Sequence, residues 1–178
     1  HLLTGASSLS LTGMTLALDC ANGAGSRVAP RVFGRLGAQV TAIASEPDGE
    51  NINDGCGATD TAELRATVRA VGADIGVALD GDGDRCMLVD EHGELVHGDG
   101  ILTVVARHAA QAGSLPKSSI VATVMSNRGL HRALREVGVD VVSVGVGDRR
   151  VVEGLREGGL AIGGEQSGHI VFGRDNFH

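Results

Sequence analysis

The chain has 178 residues with 22 acidic against 15 basic side chains, a formal charge of −7 and no basic run, so neither nucleic acid nor an anionic membrane surface is expected as a partner. No apolar stretch reaches the roughly 20 residues that span a bilayer, and no charged-then-apolar leader opens the sequence. The three cysteines, Cys20, Cys56 and Cys86, are odd in number and lack C-x-x-C pairing, which reads as reduced thiols in a cytoplasmic protein.

Apolar β-branched runs alternate with helical patterns along the chain. Residues 14–19 are predicted as a strand, 26–36 as a helix and 39–44 as a second strand. A helix is expected over 61–71, capped by Thr59 or Asp60, before a strand at 75–79. Residues 86–89 and 94–96, separated by Asp90-Glu91-His92-Gly93, read as a hairpin. The same grammar then repeats: a helix over 100–112 capped by Asp99, a strand at 119–125, a helix at 127–137 and a strand at 139–144. Another helix starts at Asp148 and runs to Arg156, and a further strand begins at 160–162. The fold class expected is α/β: two consecutive similar α/β domains with mixed, mainly parallel sheets covered by helices on both faces, divided as 1–98 and 99–178. The abundant glycines, 28 in all, suit tight strand-to-helix turns. Nothing near His1 looks like a natural start, so a piece of a longer chain is expected.

Chemistry in such sheets gathers at the carboxyl ends of the strands, and three loops are predicted there. Asp80-Gly81-Asp82-Gly83-Asp84-Arg85 places three carboxylates at i, i+2 and i+4. Carboxylates this close repel unless a divalent cation neutralises them, and hard oxygen donors suit Mg²⁺ or Ca²⁺. A solvated acidic turn needs one Asp and one Gly, not three aspartates beside an arginine. A calcium loop of the EF-hand type is disfavoured, because Arg85 stands where that motif requires glycine and the flanks read as strands.

The second loop, Gly163-Gly164-Glu165-Gln166-Ser167-Gly168-His169, alternates a carboxylate, a hydroxyl and an imidazole across glycines. The first two suit a pair of sugar hydroxyls, and His169 can move a proton near neutral pH. The third, Gly145-Val146-Gly147-Asp148-Arg149-Arg150, is either an anion nest or a glycine turn with an Asp148 cap. The earlier Asn22-Gly23-Ala24-Gly25 turn has Val28 where a dinucleotide fingerprint needs its third glycine, and reads as strand-to-helix packing.

Taken together, the aspartate loop and the Gly164-Glu165-Gln166-Ser167-Gly168-His169 run resemble the α-D-phosphohexomutase superfamily. The stretches 19–25, 50–57, Val124-Met125-Ser126-Asn127 and Val146-Gly147-Asp148-Arg149 resemble its bacterial phosphoglucosamine mutase branch. The resemblance runs over nearly the whole chain and implies the second domain and most of the third, C-terminally truncated, of a four-domain cytoplasmic enzyme. That enzyme interconverts glucosamine 6-phosphate and glucosamine 1-phosphate for amino-sugar and peptidoglycan precursor synthesis, through a phosphoserine and a bisphosphorylated sugar.

By this likeness Asp80, Asp82 and Asp84 hold Mg²⁺ and Arg85 helps neutralise the phosphoryl group. Glu165 and Ser167 grip sugar hydroxyls, Gly147, Asp148 and Arg149 face the substrate, and His169 is the leading candidate for proton transfer. The phosphoserine loop and the phosphate loop of the family's first and fourth domains are absent from this sequence, and Ser7-Ser8 is no substitute. The piece alone is therefore expected to be inactive. The rival readings are a phosphomannomutase or phosphoglucomutase of the same superfamily, and a non-catalytic metal-binding α/β module.

Overall fold

The computed structural model describes residues 9–173, so the Ser7-Ser8 pair lies outside the described residues. The chain divides into two compact units, His1–Val96 and His97–His178.

In the first unit, strands β1 (Thr15–Asp19), β2 (Gln39–Ile43), β3 (Ile75–Leu79), β4 (Cys86–Val89) and β5 (Leu95–Val96) form one sheet in the order β2-β1-β3-β4-β5. β1 runs parallel to β2 and β3, whereas β4 and β5 each run antiparallel to the strand before. The period of two along the strands sends Ala17, Ala78 and Val89 to one face, against Leu64 and Val68 of helix α2 (Ala62–Val71). Leu16, Leu18 and Val77 point the other way, toward Ala29 and Phe33 of helix α1 (Ala29–Arg35). Gly76 lets α2 approach, since a Cβ there would lie 2.7 Å from a Val68 methyl.

Helix α1 starts three residues later than the pattern from Ser26 suggests. Pro30 has no N–H to donate and fits only the first turn, so residues 25–28 form turns instead. The N-cap position of helix α2 is held by Thr61, not by the expected Thr59 or Asp60, and Thr61 makes no side-chain cap bond; the Asp60 carboxylate accepts the Ala62 N–H at 3.2 Å.

The second unit repeats the arrangement. Strands β6 (Ser119–Thr123), β7 (Asp140–Val144), β8 (Ile162–Gly164) and β9 (Ile170–Phe172) are ordered β7-β6-β8-β9, parallel except for β9. Leu102 and Ala106 of α3 (Gly98–Gln111) and Leu130 and Leu134 of α4 (Arg128–Arg135) cover one face with Ile120 and Ala122. Val151 and Leu155 of α5 (Asp148–Gly158) cover the other with Val121.

Three sequence expectations are corrected here. β6 stops at Thr123, because Ser126 donates its N–H back to the Thr123 carbonyl and turns the chain, leaving Val124 and Met125 exposed. Asp99 does not cap α3: His97 holds that position, and the buried Asp99 carboxylate instead accepts the Asn127 N–H at 2.8 Å. Asp148 is the first residue of α5 and not its cap; Gly147 is, at φ +118°, a conformation that favours glycine.

Candidate metal and sugar-binding loops

The first candidate loop, residues 80–85, connects β3 to the antiparallel β4. Asp80 follows the last residue of β3 and is almost completely buried, while Asp82 and Asp84 are exposed. The chain closes on itself through Gly83, at φ +79°, whose N–H reaches the Asp80 carbonyl at 3.1 Å. Asp80 Oδ1 also accepts the N–H groups of Gly83 (3.2 Å) and Arg85 (3.1 Å), and Oδ2 accepts Arg85 Nε at 2.7 Å. One oxygen from each of the three aspartates lies within 4.8 Å of the others.

This donor set fits a hard divalent cation: carboxylate oxygens only, one buried and anchored in the fold and two on exposed side chains. Burial pushes the Asp80 carboxyl up, but the Arg85 backbone N–H and guanidinium outweigh it and hold the group below the usual carboxylate range. Asp80 is thus an anion at neutral pH. The same contact raises the Arg85 guanidinium. Arg85, expected to meet a phosphoryl group, has its Nε engaged with Asp80 and lies 3.8 Å from an Asp84 oxygen.

The sequence reading missed what lies beneath this loop. Asp19, at the end of β1 and fully buried, accepts the N–H groups of Ala21 (2.9 Å) and Gly57 (2.8 Å). It thereby ties together two segments that run under residues 79–81. An aspartate ending an apolar strand next to Cys20 was the available signal.

In the second unit, Glu165 to Gly168 form the tight turn of the β8–β9 hairpin. Gly168, at φ +92°, donates to the Glu165 carbonyl at 3.1 Å, and Glu165 donates its N–H to the His169 carbonyl at 3.0 Å. Glu165 and His169 therefore stand opposite each other, with Ser167 at the tip, all three partly exposed. The turn rests on the start of α3: Gly98 donates to the Gln166 carbonyl at 3.0 Å, and any Cβ at Gly98 would collide with the Glu165 carbonyl. Gly98 and Asp99 thus anchor the loops after β8 and β6, a role hidden behind the expected helix cap.

The third loop leads into α5 from the end of β7, on the same sheet edge. Asp148 accepts the Arg149 N–H at 2.6 Å, so a carboxylate of the chain itself uses one of the first N–H groups of this helix. Arg149 and Arg150 both bind Glu153, at 3.0 Å each, and hold its carboxyl low.

Comparison with known proteins gives a consistent result. Residues 3–93 match the family model described as phosphoglucomutase/phosphomannomutase, alpha/beta/alpha domain II, and residues 97–178 match domain III of the same family. A phosphoglucosamine mutase of Rhodococcus erythropolis is 53% identical over 169 residues, which is 95% of this chain and 38% of the relative. The chain spans little more than a third of the length of such relatives. Among solved structures, a phosphoglucomutase/phosphomannomutase family protein of Burkholderia thailandensis superposes with a TM-score of 0.87 at 29% identity, over 99% of this chain and 39% of that one. The N-acetylphosphoglucosamine mutase of Aspergillus fumigatus, solved with GlcNAc-6P and magnesium, shares the fold with a TM-score of 0.70 at 21% identity, over 92% of this chain and 37% of that one.

Proposed function

This chain belongs to the phosphoglucomutase/phosphomannomutase family, and from that premise we propose that it supplies the metal-binding and sugar-binding domains of a cytoplasmic mutase interconverting glucosamine 6-phosphate and glucosamine 1-phosphate. The observation that carries the reading is the convergence of Asp80, Asp82 and Asp84 on one point beside the Arg85 guanidinium, whose Nε binds Asp80. Phosphoryl transfer asks a protein for positioning and charge neutralisation more than for covalent chemistry.

Asp80, Asp82 and Asp84 would hold Mg²⁺, which suits an all-oxygen donor set and, when bound, offsets the negative charge of a phosphoryl group. Arg85 fixes Asp80 as an anion and keeps a guanidinium at the same loop. Glu165 and Ser167 accept and donate hydrogen bonds to sugar hydroxyls, and His169, opposite Glu165, carries a proton between substrate oxygens near neutral pH. The loop of Gly147, Asp148 and Arg149 faces the substrate from the same sheet edge. The phosphoserine and the site for the second phosphate belong to further domains of the full-length polypeptide.

Glucosamine phosphates are preferred over mannose or glucose phosphates because the relatives named phosphoglucosamine mutase are 53% to 55% identical to this chain. The test is Glu165→Gln in the full-length protein. KM for glucosamine 6-phosphate should rise about tenfold, the effect of unpairing a charged hydrogen bond, with Mg²⁺ affinity unchanged. Turnover of mannose 1-phosphate or glucose 1-phosphate in preference to the amino sugar, or a KM indifferent to the substitution, would refute the assignment.

A further inference from the structure

The peptide of Gly81 lies between two acids of the triad, and it is held from both sides by residues that carry no ligand atom. The Ala24 N–H donates to the Gly81 carbonyl at 2.8 Å. Gly23 is packed so closely that a Cβ on it would fall on that carbonyl and within 2.6 Å of Gly81 Cα, so residue 23 must be glycine for the contact to exist. On the opposite side, a Cβ on Gly81 would meet the side chains of Ile52 and Asn53 at 2.7 Å. One residue before Asp80, the Leu79 carbonyl sits 2.6 Å from where a Cβ of Gly57 would be, and Gly57 has φ +75°.

The two sides of this seat are locked to each other. Asp19 binds Ala21 N and Gly57 N, Asn53 N donates to the Ala21 carbonyl at 2.9 Å, and Asn22 Oδ1 accepts the Glu46 N–H at 3.1 Å. Ala21, Asn22 and Asn53 all adopt left-handed φ, at +53°, +46° and +57°. Non-glycine residues hold that conformation only where surrounding contacts over-determine it.

We infer that Gly23 and Ile52 are positioning residues for the aspartate triad: they trap the Gly81 peptide so that Asp80 and Asp82 leave it on the same side before any cation arrives. An unsupported loop carrying three carboxylates relaxes by splaying them apart, and binding would then have to re-order it. With the seat in place that ordering is completed on folding. The inference rests on the reading of the triad as a metal site, and it turns the Asn22-Gly23-Ala24-Gly25 turn from packing into part of the site.

The experiment measures Mg²⁺ affinity by calorimetry on the full-length protein, together with thermal unfolding in EDTA, for Gly23→Ala, Ile52→Ala, Ile52→Val and Asp82→Asn. Gly23→Ala and Ile52→Ala should each weaken Mg²⁺ binding by about tenfold, the usual effect of removing a residue that orients a ligand. Ile52 is 51% exposed, so its truncation should leave the EDTA unfolding temperature nearly unchanged, and Ile52→Val should restore most of the affinity. If Gly23→Ala does not fold, Ile52→Ala decides alone. Parental affinity in Ile52→Ala alongside lost affinity in Asp82→Asn would overturn the seat and leave the metal site standing. Parental affinity in Asp82→Asn as well would overturn the metal site itself.

Discussion

Arg85 and Asp80 show how one contact sets the character of a site. Burial favours the protonated acid, and the backbone N–H and the guanidinium of Arg85 together hold the carboxyl below its usual range. The sign of the pH dependence follows: a lowered native value contributes stability that is present above the unfolded value near 3.8 and is lost as pH falls through the native one. Thermal unfolding of the metal-free chain between pH 3 and 7 should therefore show a loss of stability on acidification. In Arg85→Met the loss should be shallower and the neutral-pH stability lower, because a buried carboxylate then lacks its counter-charge. Superimposable profiles for the two proteins would mean that the 2.7 Å contact does not govern Asp80.

Caps and turns place the functional loops at the scale of the elements. Asn127 is the N-cap of α4, its Oδ1 accepting the Leu130 N–H at 3.0 Å, and its own N–H is held by Asp99. One residue thus joins the loop after β6 to two helices. Asn127→Ala should cost about 1 kcal/mol, as a lost cap does, seen as a lower midpoint in urea unfolding. Asp99→Ala removes the 2.8 Å acceptor of the Asn127 N–H and should also lower the midpoint, by about 1 kcal/mol; an unchanged midpoint would refute the anchoring role.

Across the whole molecule, two of the candidate loops, residues 80–85 and 165–168, occupy the same place in a repeated topology. Each connects the third parallel strand of its sheet to the antiparallel strand that follows, β3 to β4 in one unit and β8 to β9 in the other. The repeat is one of architecture, and the residues placed on it differ: three acids in one copy, an acid, a hydroxyl and an imidazole in the other, which the proposed function assigns to a cation and a sugar. Each unit has its own core, and no described residue is common to the two. Leu134→Ala, at a fully buried position, should cost about 2–5 kcal/mol. In hydrogen exchange the loss of protection should fall on residues 97–178, while amides of β1 and β3 keep theirs. Equal loss in both units would show a single cooperative structure.

What the amino-acid sequence determined by itself was the order and kind of most elements, and the presence of the side chains that the proposed site uses. Strand and helix periods are local properties, and three aspartates in five residues are visible without a fold. It misjudged Asp99, which looks like a cap but serves a neighbouring loop, and it could not say what Gly23 packs against, which is the peptide between two acids. Only the tertiary structure decided those roles. β1 and β3 are separated by more than fifty residues and become neighbours through parallel pairing, and contacts across such a pairing leave no periodic trace in the chain.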